Sequence, residues 1–293
     1  MLIIEGTSGN LIGKGLARLG NFNYAAVESR IFPDGESYIR MPRLDEKSVA
    51  IVQSAYAPQD KHLLELLFMA SELREHGCDE IVAIIPYLAY ARQNKRFEEN
   101  EAVGISTLMK LINSSGVDSI ITVEPHRYEI MKMFAGKSKI VEMSEAISLA
   151  IKNGVEKPVI LSPDKGGIGR AKKVADITGC SYDYIEKARD YATGEVSAKA
   201  SVSEDLRGRN VAIVDDIIST GGTVEQAARI AKSCGSDRVI AAAAHLVMAN
   251  GAYERIRNAG VSELYGTNTI PYNSAKSIDI SEYVLRALNE LRG

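Results

Sequence analysis

Cysteine is scarce: Cys78, Cys180 and Cys234 stand far apart, with no CxxC pair among them. That excludes a disulfide framework and a cysteine-built zinc site, and it fits a reducing cytoplasm. Excess charge is also missing, because 35 Lys and Arg meet 38 Asp and Glu for a formal net charge of -3. No global basic field marks nucleic acid or an anionic bilayer as a partner. Long apolar runs are absent too. The longest weakly polar stretch, 239–244, is far too short to cross a bilayer, and residues 1–9 lack the basic and apolar regions of a secretory signal. The expectation is a soluble cytoplasmic protein without nucleic-acid or membrane partners. Its 293 residues suffice for two domains of ordinary size.

What the sequence does contain is organised around residues 211–223, VAIVDDIISTGGT. Four apolar residues, 211–214, read as a buried strand that ends in two carboxylates, Asp215 and Asp216, which a core would not reward. Ser219, Thr220, Gly221, Gly222 and Thr223 follow, just before a helical stretch with Val224, Ala227, Ala228 and Ala231 at helical spacing. Glycines let backbone N–H groups turn inward, hydroxyls add donors and a helix N-terminus adds partial positive charge, which together make a phosphate cradle. The acids repel a phosphate and suit hydroxyl groups or a metal one sugar ring away. A phosphorylated sugar at the C-terminal end of a parallel strand is therefore expected. The alternative is a capped helix after an ordinary turn. This stretch resembles the phosphoribosyl-diphosphate signature of the type I phosphoribosyltransferase superfamily.

Strand-like runs alternate with helical patterns throughout, so the expected class is α/β with mostly parallel sheets flanked by helices. The halves echo each other in order. AIVQS at 50–54 parallels AIVDD at 212–216, Gly77 in HGC parallels Gly235 in CGS, and Gly116 in SGV parallels Gly260 in AGV. Near each start, a strand (2–4 or 159–161) runs through a glycine turn into a helix (13–19 or 169–177). Such repetition predicts a duplicated domain, 1–147 and 148–293. Gln53 and Ser54 stand where the second copy has its acids, so the second half is expected to hold the sugar phosphate. A P-loop-like string at 9–15 has its glycines one residue too close and no hydroxyl after Lys14, and reads as a plain strand-to-helix turn.

Five further constellations bear on chemistry. Glu124 and His126 flank Pro125 at the end of a strand over 120–123; they read as a metal pair or as a surface pair beside a turn. Asp164, Lys165, Gly166 and Gly167 follow the strand at 159–161, and read as a diphosphate-binding nest with a carboxylate for magnesium, or as a plain βα loop. The polar stretch 186–208 carries Lys187 and Arg189, which suit either a lid that delivers charge to a transition state or a solvated surface. In the first half Arg92, Gln93, Lys95 and Arg96 suit an anionic, nitrogen-rich ligand. The turn Phe32, Pro33, Asp34, Gly35, Glu36 offers an aromatic face beside two acceptors, or is simply a β-turn.

Taken in order, FPDGE, IVQS, PYxxYARQ, acid-x-His, SPDxGG, K-x-R, VDDxxSTGGT and TNTIP resemble the ribose-phosphate pyrophosphokinase family over nearly the whole chain. The resemblance implies two phosphoribosyltransferase-like domains, with an ATP side in 1–147 and a ribose 5-phosphate side in 148–293. It implies transfer of the diphosphoryl group of ATP to the 1-hydroxyl of ribose 5-phosphate with Mg2+, releasing AMP. By matching motif, Phe32, Asp34 and Glu36 would hold adenine, with the ATP site at a subunit interface of a homo-oligomer, and Gln53 would contact that region. Arg92, Gln93 and Lys95 would bind ATP phosphates, and His126 would face both ATP and metal. Asp164 and Glu124 would be the other metal ligands. Asp164, Lys165, Gly166 and Gly167 would form the diphosphate loop, while Asp215 and Asp216 would hold ribose hydroxyls. Ser219, Thr220, Gly221, Gly222 and Thr223 would hold the 5-phosphate, and Lys187 and Arg189 would be catalytic. Departures include Glu124, an aspartate in many relatives, and Ser219 and Gly221, which are Asp and Cys in some. Ala188 replaces an acid seen in some relatives. Competing readings are a phosphoribosyltransferase and a non-catalytic sensor of phosphoribosyl diphosphate.

Overall fold

The computed structural model describes residues 1–96, 98–186 and 202–293. In chain order the first elements are β1 (Leu2–Glu5), α1 (Ile12–Gly20), β2 (Asn23–Ala26), β3 (Glu28–Ile31), β4 (Ser37–Arg40), β5 (Ser48–Val52), α2 (Gln59–Glu75) and β6 (Glu80–Ile85). Then come α3 (Gly104–Ser114), β7 (Ser119–Val123), β8 (Lys137–Val141), α4 (Ser144–Gly154), β9 (Val159–Ser162), α5 (Ile168–Thr178) and β10 (Tyr182–Tyr184). The last are β11 (Val211–Ile218), α6 (Gly222–Ser233), β12 (Val239–Leu246), α7 (Ala252–Asn258), β13 (Val261–Thr267), β14 (Lys276–Ile278) and α8 (Ser281–Arg292).

These elements form two compact units with matching topology. The first contains a parallel sheet of order β2-β1-β5-β6-β7-β8, and the second a parallel sheet of order β10-β9-β11-β12-β13-β14. Strands covered by helices on both faces must be apolar throughout, and β6, β7 and β12 are buried almost end to end. Each unit has its own core. Leu66, Met69 and Leu73 of α2 pack on Ile51, Ile81 and Ala83 in the first, and Val224, Ala227 and Ala228 of α6 pack on Ile213 and Ala241 in the second. The paired glycines occupy matching left-handed positions: φ is +75° at Gly77 and +80° at Gly235, and +95° at Gly116 and +100° at Gly260. Only glycine enters that region at little cost, so the duplication shows in backbone geometry as well as in sequence.

The unit boundary differs from the sequence-based expectation at one place that matters. Residues 1–142 and 279–293 form one unit and 143–278 the other. Thus α8, expected to close the second half, packs on α1 and β8 of the first, whereas α4 packs on α5 and β12 of the second. Each copy's last helix has been exchanged. The cause is amphipathic packing: α8 buries Val284, Ala287 and Leu288, and α4 buries Ala146, Ile147 and Ile151. No helix among the described residues is long and apolar enough to cross a membrane.

The hairpin β3–β4 lies outside both sheets, pairing antiparallel from Ile31 opposite Ser37 to Glu28 opposite Arg40. Sequence reading found its turn but not its strands, because β3 is exposed throughout and lacks the alternation that marks a half-buried strand. The exchange of α8 predicts where damage should appear. Leu288→Ala removes a fully buried side chain at a cost of about 2–5 kcal/mol. Hydrogen exchange should then accelerate in α1 and β8 before it does so in β9 and β11.

Candidate functional site

In the second unit, β11 runs through the acid pair instead of ending before it. Asp215 lies opposite Ala243 of β12, and Ile217 and Ile218 extend the pairing to His245 and Leu246. The two added isoleucines are buried, so the ladder continues beyond the carboxylates. Ser219, Thr220 and Gly221 then make the turn into α6, with Gly221 as its N-cap at φ +78°. A Cβ at Gly221 would lie 3.0 Å from Ile256 Cγ2 and 3.2 Å from the Ala252 carbonyl, so both conformation and space require glycine. On the other side the loop is open: a Cβ at Gly222 meets nothing, and Gly222, Thr220 and Thr223 are exposed. The outer face of the turn is fixed, since Ala249 N–H donates to Ser219 O at 2.9 Å and Arg255 donates to Thr220 O at 3.0 Å. The first turn of α6 therefore presents outward backbone N–H groups that have no partner within the helix, the arrangement that binds a phosphate.

Asp215 and Asp216 are held close together. The Asp216 N–H donates to Asp215 Oδ1 at 2.9 Å, and the two carboxyls share a hydrogen bond. Burial, then the neighbouring acid, pushes the Asp215 carboxyl up to about 8, against the pull of Arg170. Arg170 reaches both acids, with its Nη1 3.7 Å from Asp215 Oδ1 and 3.9 Å from Asp216 Oδ1. Sequence reading missed Arg170. Its signal was its place in the first turn of α5, three residues beyond Gly167, from which a long side chain reaches the end of the neighbouring strand. A half-neutralised acid pair beside a guanidinium is poised to accept hydrogen bonds from vicinal hydroxyls or to hold a cation.

The neighbouring loop, after β9, differs from expectation. The Gly166 and Gly167 N–H groups, expected to face a diphosphate, donate to Asp164 Oδ1 at 2.8 and 3.3 Å. Asp164 thus caps its own turn, as short acids do before a helical N-terminus. A Cβ on Gly167 would fall 2.4 Å from Ser162 Oγ, so the loop is tightly folded against its strand. Lys187 and Arg189 lie outside the described residues. The segments flanking 187–201 are tied together by Asp183, whose Oδ2 accepts from Ser203 N at 2.6 Å and Glu204 N at 2.8 Å. At the ends of β12 and β13, His245, Thr267 and Thr269 form a buried hydrogen-bonded set, with His245 Nδ1 2.9 Å from Thr269 Oγ1.

In the first unit Arg92 and Lys95 are exposed and Gln93 half-buried, on the loop that follows β6. Gln93 N–H donates to Tyr90 O at 3.3 Å, and the Tyr90 hydroxyl bonds Asp60. β7 ends at Val123, so the two-apart rule of a strand does not carry on to Glu124 and His126. Glu124 is buried at φ +37°, with Tyr128 OH 3.3 Å from its Oε1, while His126 is half-buried. Among the described residues no group of three or more His, Cys, Asp and Glu is arranged to hold a metal. Phe32, Asp34 and Glu36 form the tip of the β3–β4 hairpin, closed by Phe32 N–H to Glu36 O at 2.8 Å. Arg30 sits 5.1 Å over the Phe32 ring, and Tyr38 meets that ring edge-on at 5.8 Å. The ring is held in place yet 38% exposed. Gln53 is buried: its amide nitrogen donates to Thr7 and His62 O, each at 3.1 Å, and its Oε1 accepts from Ser8 N. It is a structural link, not an open ligand contact.

Comparison with known proteins agrees with this geometry. The family model for the N-terminal domain of ribose phosphate pyrophosphokinase matches residues 1–116, and that for the phosphoribosyl transferase domain matches residues 133–267. A ribose-phosphate pyrophosphokinase from Sulfolobus acidocaldarius is 46% identical over 291 residues, covering 98% of this chain and all of the relative. The chain belongs to the ribose-phosphate pyrophosphokinase family. A second member, from Saccharolobus solfataricus, is 45% identical over the same shares of both chains. The crystal structure of phosphoribosylpyrophosphate synthetase from Mycobacterium smegmatis superposes with a TM-score of 0.86 at 26% identity, covering 99% of this chain and 97% of that one. The chain is thus an enzyme of this family, with a duplicated α/β fold.

Two outcomes follow for the acid pair and its loop. The folded-state pKa of Asp215 lies above its ordinary 3.8, so the stability tied to its protonated form is complete below 3.8 and is lost as pH rises through about 8. Asp215→Asn should therefore raise Tm of the ligand-free protein most at pH 8–9 and little near pH 4, as read by calorimetry across pH. Gly221→Ala should lower stability by about 1–2 kcal/mol through the left-handed strain alone, and more through the Ile256 contact, as read from denaturant unfolding.

Proposed function

We propose that the enzyme transfers the diphosphoryl group of ATP to the 1-hydroxyl of ribose 5-phosphate, forming 5-phosphoribosyl 1-diphosphate and releasing AMP. The observation that carries this reading is the Asp215–Asp216 pair one loop away from the open cradle at Ser219, Thr220, Gly221, Gly222 and Thr223. Phosphate on the N-terminus of α6 sets the distance at which a pentose ring lays its hydroxyls on the acids. The anomeric oxygen then attacks the β-phosphorus in line, its bond to phosphorus forms, and the bond between the β-phosphorus and the α,β-bridging oxygen breaks to leave AMP. Such chemistry needs positioning and charge neutralisation more than covalent catalysis.

The remaining assignments rest on chemistry and on the family. Phe32, Asp34 and Glu36 would grip adenine from the hairpin tip, which is exposed on its own chain and so suits the site of a neighbouring copy in a homo-oligomer. Arg92, Gln93 and Lys95 would hold the ATP phosphates. A diphosphate seated on Gly166 and Gly167 would release Asp164 from the N–H groups it now caps, leaving its carboxylate available to a cation. Mg2+ keeps several waters and binds through one or two side chains plus substrate phosphates, which suits a phosphoryl-transfer site. His126 and Asp164 would face it, with Glu124 nearby, and when bound it would neutralise phosphate charge and acidify the anomeric hydroxyl. Lys187 and Arg189 would stabilise the transferring group, and Lys165 would add charge beside it. Free thiols at Cys78 and Cys180 fit a reducing cytoplasm.

AMP release, measured with ATP, Mg2+ and ribose 5-phosphate and with each omitted in turn, tests the reaction. Product is expected only with all three; AMP formed without ribose 5-phosphate, or product requiring a nucleobase, would reject it. Replacing both Lys187 and Arg189 by Ala should lower kcat by about 10³-fold or more while ribose 5-phosphate binding stays within about threefold.

A further inference from the structure

Glu65 lies in the middle of α2 and is 1% exposed, yet the reading above gives it no task. Its carboxylate collects donors from four separate places. Lys61 Nζ reaches Oε1 at 2.6 Å, Ser37 Oγ reaches Oε1 at 3.0 Å, Gln53 Nε2 reaches Oε2 at 3.3 Å, and Thr7 Oγ1 bonds Oε2. Thr7 follows β1 and Gln53 follows β5, so both mark the C-terminal edge of the parallel sheet, where α/β enzymes bind their ligands. Ser37 is the first residue of β4, next in sequence to Glu36 of the Phe32–Glu36 turn. The node therefore joins the exposed hairpin to the edge of the sheet.

Packing explains why such a link is needed. β3 is wholly exposed, and β4 reaches the core through Ile39 at its far end. A cleft of about 590 Å³ lies beside β4 and α2, lined by Tyr38, Arg40, Phe68, Ser71 and His76. With apolar support confined to that far end, the hairpin tip would swing on its strands. Burial pushes the Glu65 carboxyl up, but hydrogen bonds from Lys61, Thr7 and Ser37 outweigh it and hold the group below its usual range. Glu65 is thus ionised at neutral pH, and charge-assisted bonds of this kind are stronger than those between neutral groups.

We propose that Glu65, through Ser37, is the positioning residue that fixes the Phe32–Glu36 turn for the nucleotide base. This rests on the adenine-binding role proposed above for that turn. Glu65 touches no substrate; it restricts the angle at which the hairpin presents the Phe32 ring. Losing the brace raises the cost of ordering the turn on binding, and so raises KM for ATP without altering the reacting atoms.

The test is steady-state kinetics of AMP release by full-length Ser37→Ala, Ser37→Thr, Glu65→Gln and Phe32→Ala, with Tm measured alongside. Ser37→Ala should raise KM for ATP about fivefold to tenfold, the loss expected for one intramolecular hydrogen bond of ordinary net strength, with kcat and KM for ribose 5-phosphate within about twofold. Ser37→Thr, which keeps the hydroxyl, should restore KM, and Glu65→Gln should follow Ser37→Ala in direction. If Phe32→Ala raises KM for ATP while Ser37→Ala leaves it unchanged, the brace is overturned and the role of the turn stands. If neither variant changes it, the adenine assignment fails and the brace fails with it. Equal losses in both KM values and in Tm would assign Glu65 to the fold alone and overturn the proposal.

Discussion

Two carboxylates forced together within a largely buried strand are the constraint on which the second unit depends. Asp215 and Asp216 cannot both ionise cheaply where burial removes water, and their mutual hydrogen bond with Asp215 raised to about 8 is the physical result. The ligand-free protein therefore carries strain that vicinal hydroxyls or a cation relieve. Arg170, close to 4 Å from both acids, offsets part of the repulsion without quenching it. The open Gly222 loop would complement this arrangement, because a phosphate held on α6 as proposed would fix the distance from which a sugar meets the acids.

The same strand end has a different use in the first unit. Where the second copy has its acids, Gln53 and Ser54 turn inward, with Gln53 joined to Thr7, Ser8 and His62 and Ser54 Oγ accepting from Tyr87 N at 3.1 Å. Polar groups that would face a sugar in one copy tie loops together in the other. Duplication thus supplied two C-terminal sheet edges, one carrying the acid pair and its open loop and one tied into a frame. The placement of α8 makes the first unit discontinuous in sequence, built from residues 1–142 and 279–293, whereas the second is the single stretch 143–278.

Much of this was legible in the sequence because it rests on local rules. Buried parallel strands read as apolar runs, and glycines at 77, 116, 235 and 260 marked left-handed turns that no other residue enters cheaply. The Asp215–Thr223 stretch stood out because acids beside a glycine-hydroxyl loop have no role in a core, and the structure places that loop at the start of α6. Tertiary choices were hidden. The strand carried on past its acids because Ile217 and Ile218 met partners on β12, and α8 chose its unit by a face that fits either copy in pattern. Asp164 looked free in sequence because a side chain that caps its own loop is spelled the same as one that waits for a metal.

The polar choices among these share a cause: a polar side chain satisfies itself with whatever partner is nearest until a ligand offers a better one. Asp164 on its own N–H groups and Arg170 on the acid pair are both states that a charged substrate would have to displace. Gln53 and Glu65 differ, since their hydrogen-bond partners come from several segments and no single ligand could replace them all at once. The number of separate chain segments a buried polar group joins thus separates frame from site. By that criterion the second unit's acids and loops remain exchangeable, while the first unit's polar cluster is committed to holding shape.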